Sequence, residues 1–266
     1  MENIKTPGVG VTCICNTGSP IRHLLDVVIC PQCNRELRLS EETRKNLWIK
    51  YLRRNGPRKP MDIPLVQKSG EGDKDACQAV VAYMALKYYG INASKEEFFA
   101  RCETAGKGNH ALSWGVLKGA ASYGLYAWLI SGHPYELIGY GDVMEKEGLT
   151  EDAAREKVKR LIKECEENER TELFTNVEER VIISKFIDAK AAVLIPTLEW
   201  TENENHSVVV TNIWEGYVYY NDPNDEKQCK MDMNYFFRLW QNEKTDYDII
   251  VISDKKIDFD EINERE

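Results

Sequence analysis

Apolar positions follow helical spacing through most of the first 190 residues and become strand-like after Ala191. The clearest helix covers residues 75–90. Ala76, Ala79, Val80, Tyr83, Met84 and Leu86 recur near helical spacing, Asp75 stands at the N-cap and Gly90 at the position that ends a helix. The polar, Gly-rich run Lys68-Ser69-Gly70-Glu71-Gly72 predicts a loop before it. Ser94-Lys95-Glu96-Glu97 opens a second helix that reaches about Cys102, and residues 104–109 form a loop. Residues 112–123 are expected to be helical despite Gly115 and Gly119, which let the helix pack closely. Tyr126 to Ile130 is a strand. Residues 151–169 form an amphipathic helix with Ala154, Val158, Leu161, Ile162 and Cys165 on one face and a solvated charged face opposite. Residues 177–189 are a further helix.

In the second part, Ala192-Val193-Leu194-Ile195-Pro196 is a short apolar strand, and residues 206–213 form a β-branched, buried one. Tyr217 to Asn221 follows the turn Glu215-Gly216, so these two strands form a hairpin. Asp222-Pro223-Asn224-Asp225 is a turn, 233–241 a helix with Phe236, Phe237 and Trp240 inward, and 247–252 the last strand.

The N-terminal region is organised differently. Cys13-Ile14-Cys15 and Cys30-Pro31-Gln32-Cys33 place four of the 8 cysteines within a short stretch. Thiolates at such spacing can share one tetrahedral Zn²⁺ at about 2.3 Å, and four of them leave no position open for water. Residues 8–38 therefore read as a zinc-ribbon-like head with one structural zinc on Cys13, Cys15, Cys30 and Cys33. Residues 39–62 supply a helix capped at Ser40 and a linker broken by Asn55-Gly56-Pro57, residues 63–254 the main domain, and residues 255–266 an acidic tail.

Charge and composition narrow the partners. A net charge of −9 argues against a nucleic-acid surface, which needs clustered Lys and Arg. No apolar run approaches the ~20 residues of a membrane helix, so no membrane partner is expected. The N-terminus has no apolar signal core, which predicts a cytoplasmic protein with thiols in place of disulfides.

Cys77 falls where a loop enters a helix. There the unpaired N–H groups and the helix dipole favour a thiolate. A lone cysteine at such a place is more often a small core residue, so a base is required. His206 opens a buried strand and Asp222 ends its hairpin neighbour. In an antiparallel pair the start of one strand lies beside the end of the next. Cys77, His206 and Asp222 thus form a candidate nucleophile, base and orienting acid.

These pieces resemble the papain-like cysteine peptidases of the double-glycine bacteriocin-leader type. The resemblance is carried by the Gln67-to-Cys77 segment, Lys87-Tyr88-Tyr89-Gly90-Ile91, Gly108-Asn109-His110, Tyr123-Gly124-Leu125, Asn205-His206-Ser207-Val208-Val209-Val210 and Val218-Tyr219-Tyr220-Asn221-Asp222-Pro223. It implies an α+β papain-like fold with a helical half and a sheet half. It also implies a peptide or protein substrate, Cys77 as nucleophile, His206 as base, Asp222 as orienter and Gln67 as oxyanion donor. Two positions depart from the family pattern: Gln78 replaces the usual glycine after the nucleophile, and Gln67 lies farther from the cysteine than usual, so that Gln78 is a second candidate donor. The expected activity is peptide or isopeptide cleavage through a thioacyl-enzyme, with deamidation or acyl transfer sharing that intermediate. The alternative is a catalytically degenerate papain-like module that binds peptides and recruits a protein partner through its zinc head.

Overall fold

A computed structural model of the chain describes residues 10–12, 18–20, 27–29, 36–38, 40, 43, 60–132, 140–175, 177, 192–201, 204–240 and 248–257. In the N-terminal part, β1 (Gly10–Thr12) pairs antiparallel with β2 (Gly18–Pro20), and β3 (Val27–Ile29) with β4 (Glu36–Arg38). Cys13, Cys15, Cys30 and Cys33 lie outside the described residues, as does most of the helix expected after Ser40. The start of that helix is described: Thr43 N–H donates to Ser40 Oγ at 3.1 Å, the expected cap bond.

The remainder is built around α1 (Cys77–Tyr88), which is buried continuously from Ala79 to Leu86. It carries apolar residues on every side, so it is a core helix and not a surface helix with one apolar stripe. Each buried Val, Leu or Met here contributes about 1.5–3 kcal/mol. Its C-terminus closes as expected: Gly90 takes φ +73°, its N–H bonds Lys87 O, and Ile91 N–H bonds Leu86 O. Its N-terminus differs from expectation. Ala76, not Asp75, is the N-cap and makes no side-chain cap bond. Asp75 is held instead by its own N–H, which donates to Gly108 O at 3.0 Å.

Helix α2 (Lys95–Arg101) begins at a reciprocal capping box between Ser94 and Glu97. Helix α3 (Ser113–Ala121) lies so close to it that a Cβ on Gly115 would stand 2.2 Å from Cys102 O, and one on Gly119 2.5 Å from Cys102 Sγ. The two glycines are what permit this approach. Helix α4 (Tyr140–Glu147) has no counterpart in the sequence-based expectations, whereas α5 (Glu151–Glu166) buries Ala154, Val158, Leu161 and Cys165 as its stripe predicts. The helix expected over 177–189 falls outside the described residues except at Val177, which is not helical and donates its N–H to Ser131 O.

The sheet comprises β5 (Tyr126–Ile130), β6 (Thr171–Phe174), β7 (Val193–Thr201), β8 (Glu204–Ser207), β9 (Val209–Trp214), β10 (Tyr217–Asn221), β11 (Cys229–Asp232) and β12 (Ile249–Ser253). Its order is β11-β10-β9-β7-β12-β5-β6, with β8 also on β7. Pairing is antiparallel except for β5 with β6. Strands β6 and β11 go beyond the sequence-based expectations. Alternate residues face two cores: Ala127, Leu129, Val193, Ile195, Ile250 and Ile252 face the helices α1 to α3 and α5. Trp128, Ile130, Leu194, Ile249 and Val251 face α6 (Met233–Trp240) through Phe236 and Trp240. Helices on a mixed, mostly antiparallel sheet make the expected α+β class. No helix among the described residues is long and apolar enough to cross a membrane.

Two strand expectations are corrected. The apolar run does not stop at Pro196; β7 continues to Thr201. The strand expected over 206–213 is divided at Val208. Pro196 stands opposite it and has no N–H to give, so the ladder is interrupted there, with only a long Val208 N–H bond to Pro196 O at 3.4 Å.

Candidate active site

The site forms where the start of α1 meets the ends of three strands. Cys77 is the first residue of α1, a helix of 12 residues, and is half-buried. Helix α1 packs against β7, β8 and β9, which brings its N-terminus to His206 on β8. The hairpin β9–β10 turns at Glu215-Gly216, whose φ values of 50° and 82° suit a two-residue turn. Its register places Asn221 opposite Val209, so the residue after β10, Asp222, returns to the level of His206.

His206 Nε2 lies 2.8 Å from Asp222 Oδ1, and both residues are 2% exposed. An ionised carboxylate only accepts, so Nε2 carries the proton in this pair. The other ring nitrogen is left for Cys77, with which His206 is electrostatically coupled. Asp222 Oδ1 additionally accepts Asn224 N–H at 2.8 Å, which fixes the carboxylate independently of the imidazole. The Asn224 side-chain nitrogen stands 3.3 Å from Nε2. With Nε2 protonated, the carbonyl end of that amide is the better partner there.

Electrostatics follow from this arrangement. Burial pushes the Cys77 thiol up, but the His206 hydrogen bond and charge, the Ser207 backbone N–H and the Lys68 charge outweigh it and hold Cys77 below its usual value. Burial pushes His206 down, but the hydrogen bonds to Asp222 and Cys77 and their charges outweigh it and raise it to about 9. Asp222 is raised by burial and lowered further by His206, the Asn224 N–H and Lys68, with a net depression. The three groups therefore favour thiolate, imidazolium and carboxylate together.

The sequence-predicted residues are distributed as follows. Cys77, His206 and Asp222 are brought together. Gln67 is exposed and belongs to a segment threaded along the sheet: Met61 N–H bonds Thr211 O, Asn221 Nδ2 bonds Ile63 O, and Lys68 N–H bonds Pro223 O. Its chain thus passes directly beside the Asp222-Pro223 turn. Gln78 is engaged elsewhere, its Nε2 donating to Ser113 Oγ at 3.1 Å.

One residue near the site escaped the sequence reading. The β7–β8 register shifts between Glu199 and Thr201, which throws Trp200 out of the ladder. Its ring centroid lies 5.2 Å from that of His206, tilted by 59°. No periodicity in the chain announces a bulge, so only the paired register reveals it.

The family model described as the Peptidase_C39 like family matches residues 61–248. Two solved structures are similar to the chain. The peptidase domain of Streptococcus ComA, a bi-functional ABC transporter involved in a quorum sensing pathway, is 15% identical; the match covers 71% of this chain and 97% of that one, with a TM-score of 0.41. A protein described as a C39-like peptidase from Bacillus anthracis is 14% identical, with 76% and 100% covered and a TM-score of 0.44. No curated protein matches the chain.

Proposed function

The chain belongs to the Peptidase_C39 like family, and we propose that it is a cysteine peptidase cleaving peptide or isopeptide bonds through Cys77, His206 and Asp222. The observation that carries this reading is the buried His206–Asp222 pair turned toward a cysteine at a helix start.

In this reading the Cys77 thiolate attacks the substrate carbonyl carbon, and the C=O π pair moves onto oxygen. The Cys77 N–H, which has no intrahelical acceptor at this position, and the Gln67 amide donate to that oxygen. The engagement of Gln78 with Ser113 favours Gln67 as the side-chain donor. Collapse of the intermediate breaks the C–N bond, and the His206 imidazolium gives its proton to the leaving amine. The neutral imidazole then takes a proton from water, the hydroxide formed attacks the thioester, and the acid departs as the thiolate is restored. Asp222 stays ionised and fixes the ring orientation throughout. Deamidation or transfer to a second amine would use the same acyl-enzyme.

The partner is accordingly a peptide or protein. A structural Zn²⁺ on Cys13, Cys15, Cys30 and Cys33 would order the N-terminal head, whose role would be to recruit a protein partner. That assignment rests on cysteine spacing.

The test is incubation of the parent and Cys77→Ala with a peptide library, read by mass spectrometry. Cleavage by the parent alone supports the peptidase. Binding by both without cleavage by either means the chain is a peptide-binding module, and equal cleavage by both removes Cys77 from the chemistry.

A further inference from the structure

Nine residues separate Gln67 from Cys77, and the structure shows what holds them. Gly70–Asp73 forms a single 3₁₀ turn. Asp73 is buried at its end, 4% exposed, and both its carboxylate oxygens and its carbonyl accept hydrogen bonds. Oδ2 accepts Ser69 N–H at 2.8 Å and Lys95 Nζ at 2.6 Å. The same ammonium also bonds Ser69 Oγ. Oδ1 accepts Asn109 Nδ2 at 3.1 Å, and that nitrogen also reaches Gly72 O at 2.8 Å. The Asp73 carbonyl accepts Ala76 N–H at 3.0 Å.

These bonds run in both directions along the loop. Through its carboxylate Asp73 holds Ser69, two residues after Gln67. Through its carbonyl it holds Ala76, the residue before Cys77. The node is braced from outside by the loop before α3: Asn109 has φ +52°, Asp75 N–H bonds Gly108 O, and a Cβ on Gly108 would fall 2.1 Å from Asp75 Oδ2. Burial raises the Asp73 carboxyl, but Lys95, Ser69 N–H and Asn109 overcome this and lower it to about 2, so the node is charged at every ordinary pH.

We infer that Asp73 is a positioning residue of the reaction site: it ties the Gln67 end of this loop to the Cys77 end and so sets where the Gln67 amide stands relative to the sulfur. A short loop would hold the two by covalent reach alone. A loop of this length needs a fixed internal anchor, because each ordered residue gives up backbone freedom. Lys95 supplies the charge partner from α2. This inference rests on the assignment of Cys77 and Gln67 made under Proposed function.

Two thiol probes separate positioning of the oxyanion donor from reactivity of the sulfur. Iodoacetamide needs only the thiolate, which displaces iodide. N-acetylglycinal needs the oxyanion donor as well: the sulfur bonds the aldehyde carbon, the π pair moves to oxygen, and His206 supplies the proton of the resulting thiohemiacetal. Aldehyde affinity is read as protection of Cys77 from iodoacetamide. For Asp73→Asn and Lys95→Met we expect aldehyde affinity to fall about 10- to 100-fold, near or below the loss expected for one oxyanion donor. The iodoacetamide rate and its pH profile should stay within about 2-fold, because neither variant alters the His206–Asp222 pair. Lys95→Arg should recover most of the affinity. In a Gln67→Ala background Asp73→Asn should cause no further loss, whereas a merely structural role would add its full effect.

Unchanged aldehyde affinity in both variants, or an additive loss in the Gln67→Ala background, would overturn the inference. So would a failure of both variants to fold, since Asp73 would then be a general stability element. Absence of aldehyde protection in the parent would instead strike the underlying assignment of the oxyanion site.

Discussion

Asp222 Oδ1 accepts two hydrogen bonds at 2.8 Å, one from His206 Nε2 and one from the backbone N–H of Asn224. The carboxylate is thus anchored by its own turn before it meets the imidazole. Replacing it by Asn should preserve the turn but offer His206 an amide, which does not hold the imidazole in its working form. We expect Asp222→Asn to fold and to lose roughly 10²–10⁴ of turnover. Asp222→Ala leaves a buried imidazolium without its partner and should cost about 3–5 kcal/mol in denaturant melts. Equal turnover in Asp222→Asn and the parent would mean that another group orients His206.

Stability should depend on pH at both ends of the range, with signs set by the site. His206 is raised to about 9 from 6.5, so its contribution is fully present below 6.5 and is lost as pH rises through about 9. Asp73 is lowered to about 2 from 3.8, so its contribution is present above 3.8 and is lost as pH falls through about 2. Asp222 is also depressed and adds to the acid limb. Melts of the parent and of His206→Gln across this range check the assignment: the variant should lack the loss approaching pH 9, keep the Asp73 part of the acid limb, and lose much of the Asp222 part, which His206 causes.

Cys77 should alkylate far faster than the other described thiols near neutral pH. Burial drives Cys102 well above its usual value and Cys165 to about 12. Cys229 is likewise pushed to about 12, by burial and by the Asp225 carboxylate, which accepts its thiol at 2.9 Å. Among the described cysteines only Cys77 is shifted toward the thiolate. Iodoacetamide labelling read by peptide mass measures this directly, and equal labelling of these four sites would contradict it.

The contact between α2 and α3 should be intolerant of a single methyl group. A Cβ at residue 115 would meet the Cys102 carbonyl oxygen at 2.2 Å, an atom that cannot swing aside. Gly115→Ala should therefore lower stability by about 1–3 kcal/mol in denaturant melts. Gly124→Ala makes a useful contrast: it meets no atom within 4 Å, and its cost should come from φ +83° alone, about 1 kcal/mol.

The N-terminal head should bind one zinc per chain, because Cys13, Cys15, Cys30 and Cys33 supply four thiolates in a stretch too small to build much core. Removing it with a chelator should loosen the head, because binding of a structural metal is in general coupled to folding. Elemental analysis of protein purified without chelator tests the stoichiometry. Cys33→Ser should lower it, and a parent with intact thiols and no zinc would refute the site.

What the chain determined alone was what local chemistry encodes. Ser94 and Glu97 announce their helix because both partners of the capping box lie within one turn. Glu215-Gly216 announces its hairpin because the turn needs positive φ at adjacent residues. The α5 stripe is visible because that helix buries one face only. Even the proximity of His206 and Asp222 follows from hairpin register. Tertiary structure decided the rest through contacts distant in sequence. Helix α1 shows no stripe because it is enclosed on all sides. Pro196 divides a strand that follows it by about ten residues, which is legible only once the two are paired. Trp200 reaches His206 by a bulge that exists only in the register of β7 with β8. Asp73 looks like an ordinary loop residue until Lys95 and Asn109, 22 and 36 positions away, close around its carboxylate. Periodicity and capping report the geometry of one segment. A buried charge is stable only where several segments converge on it, and that convergence is a property of the folded chain.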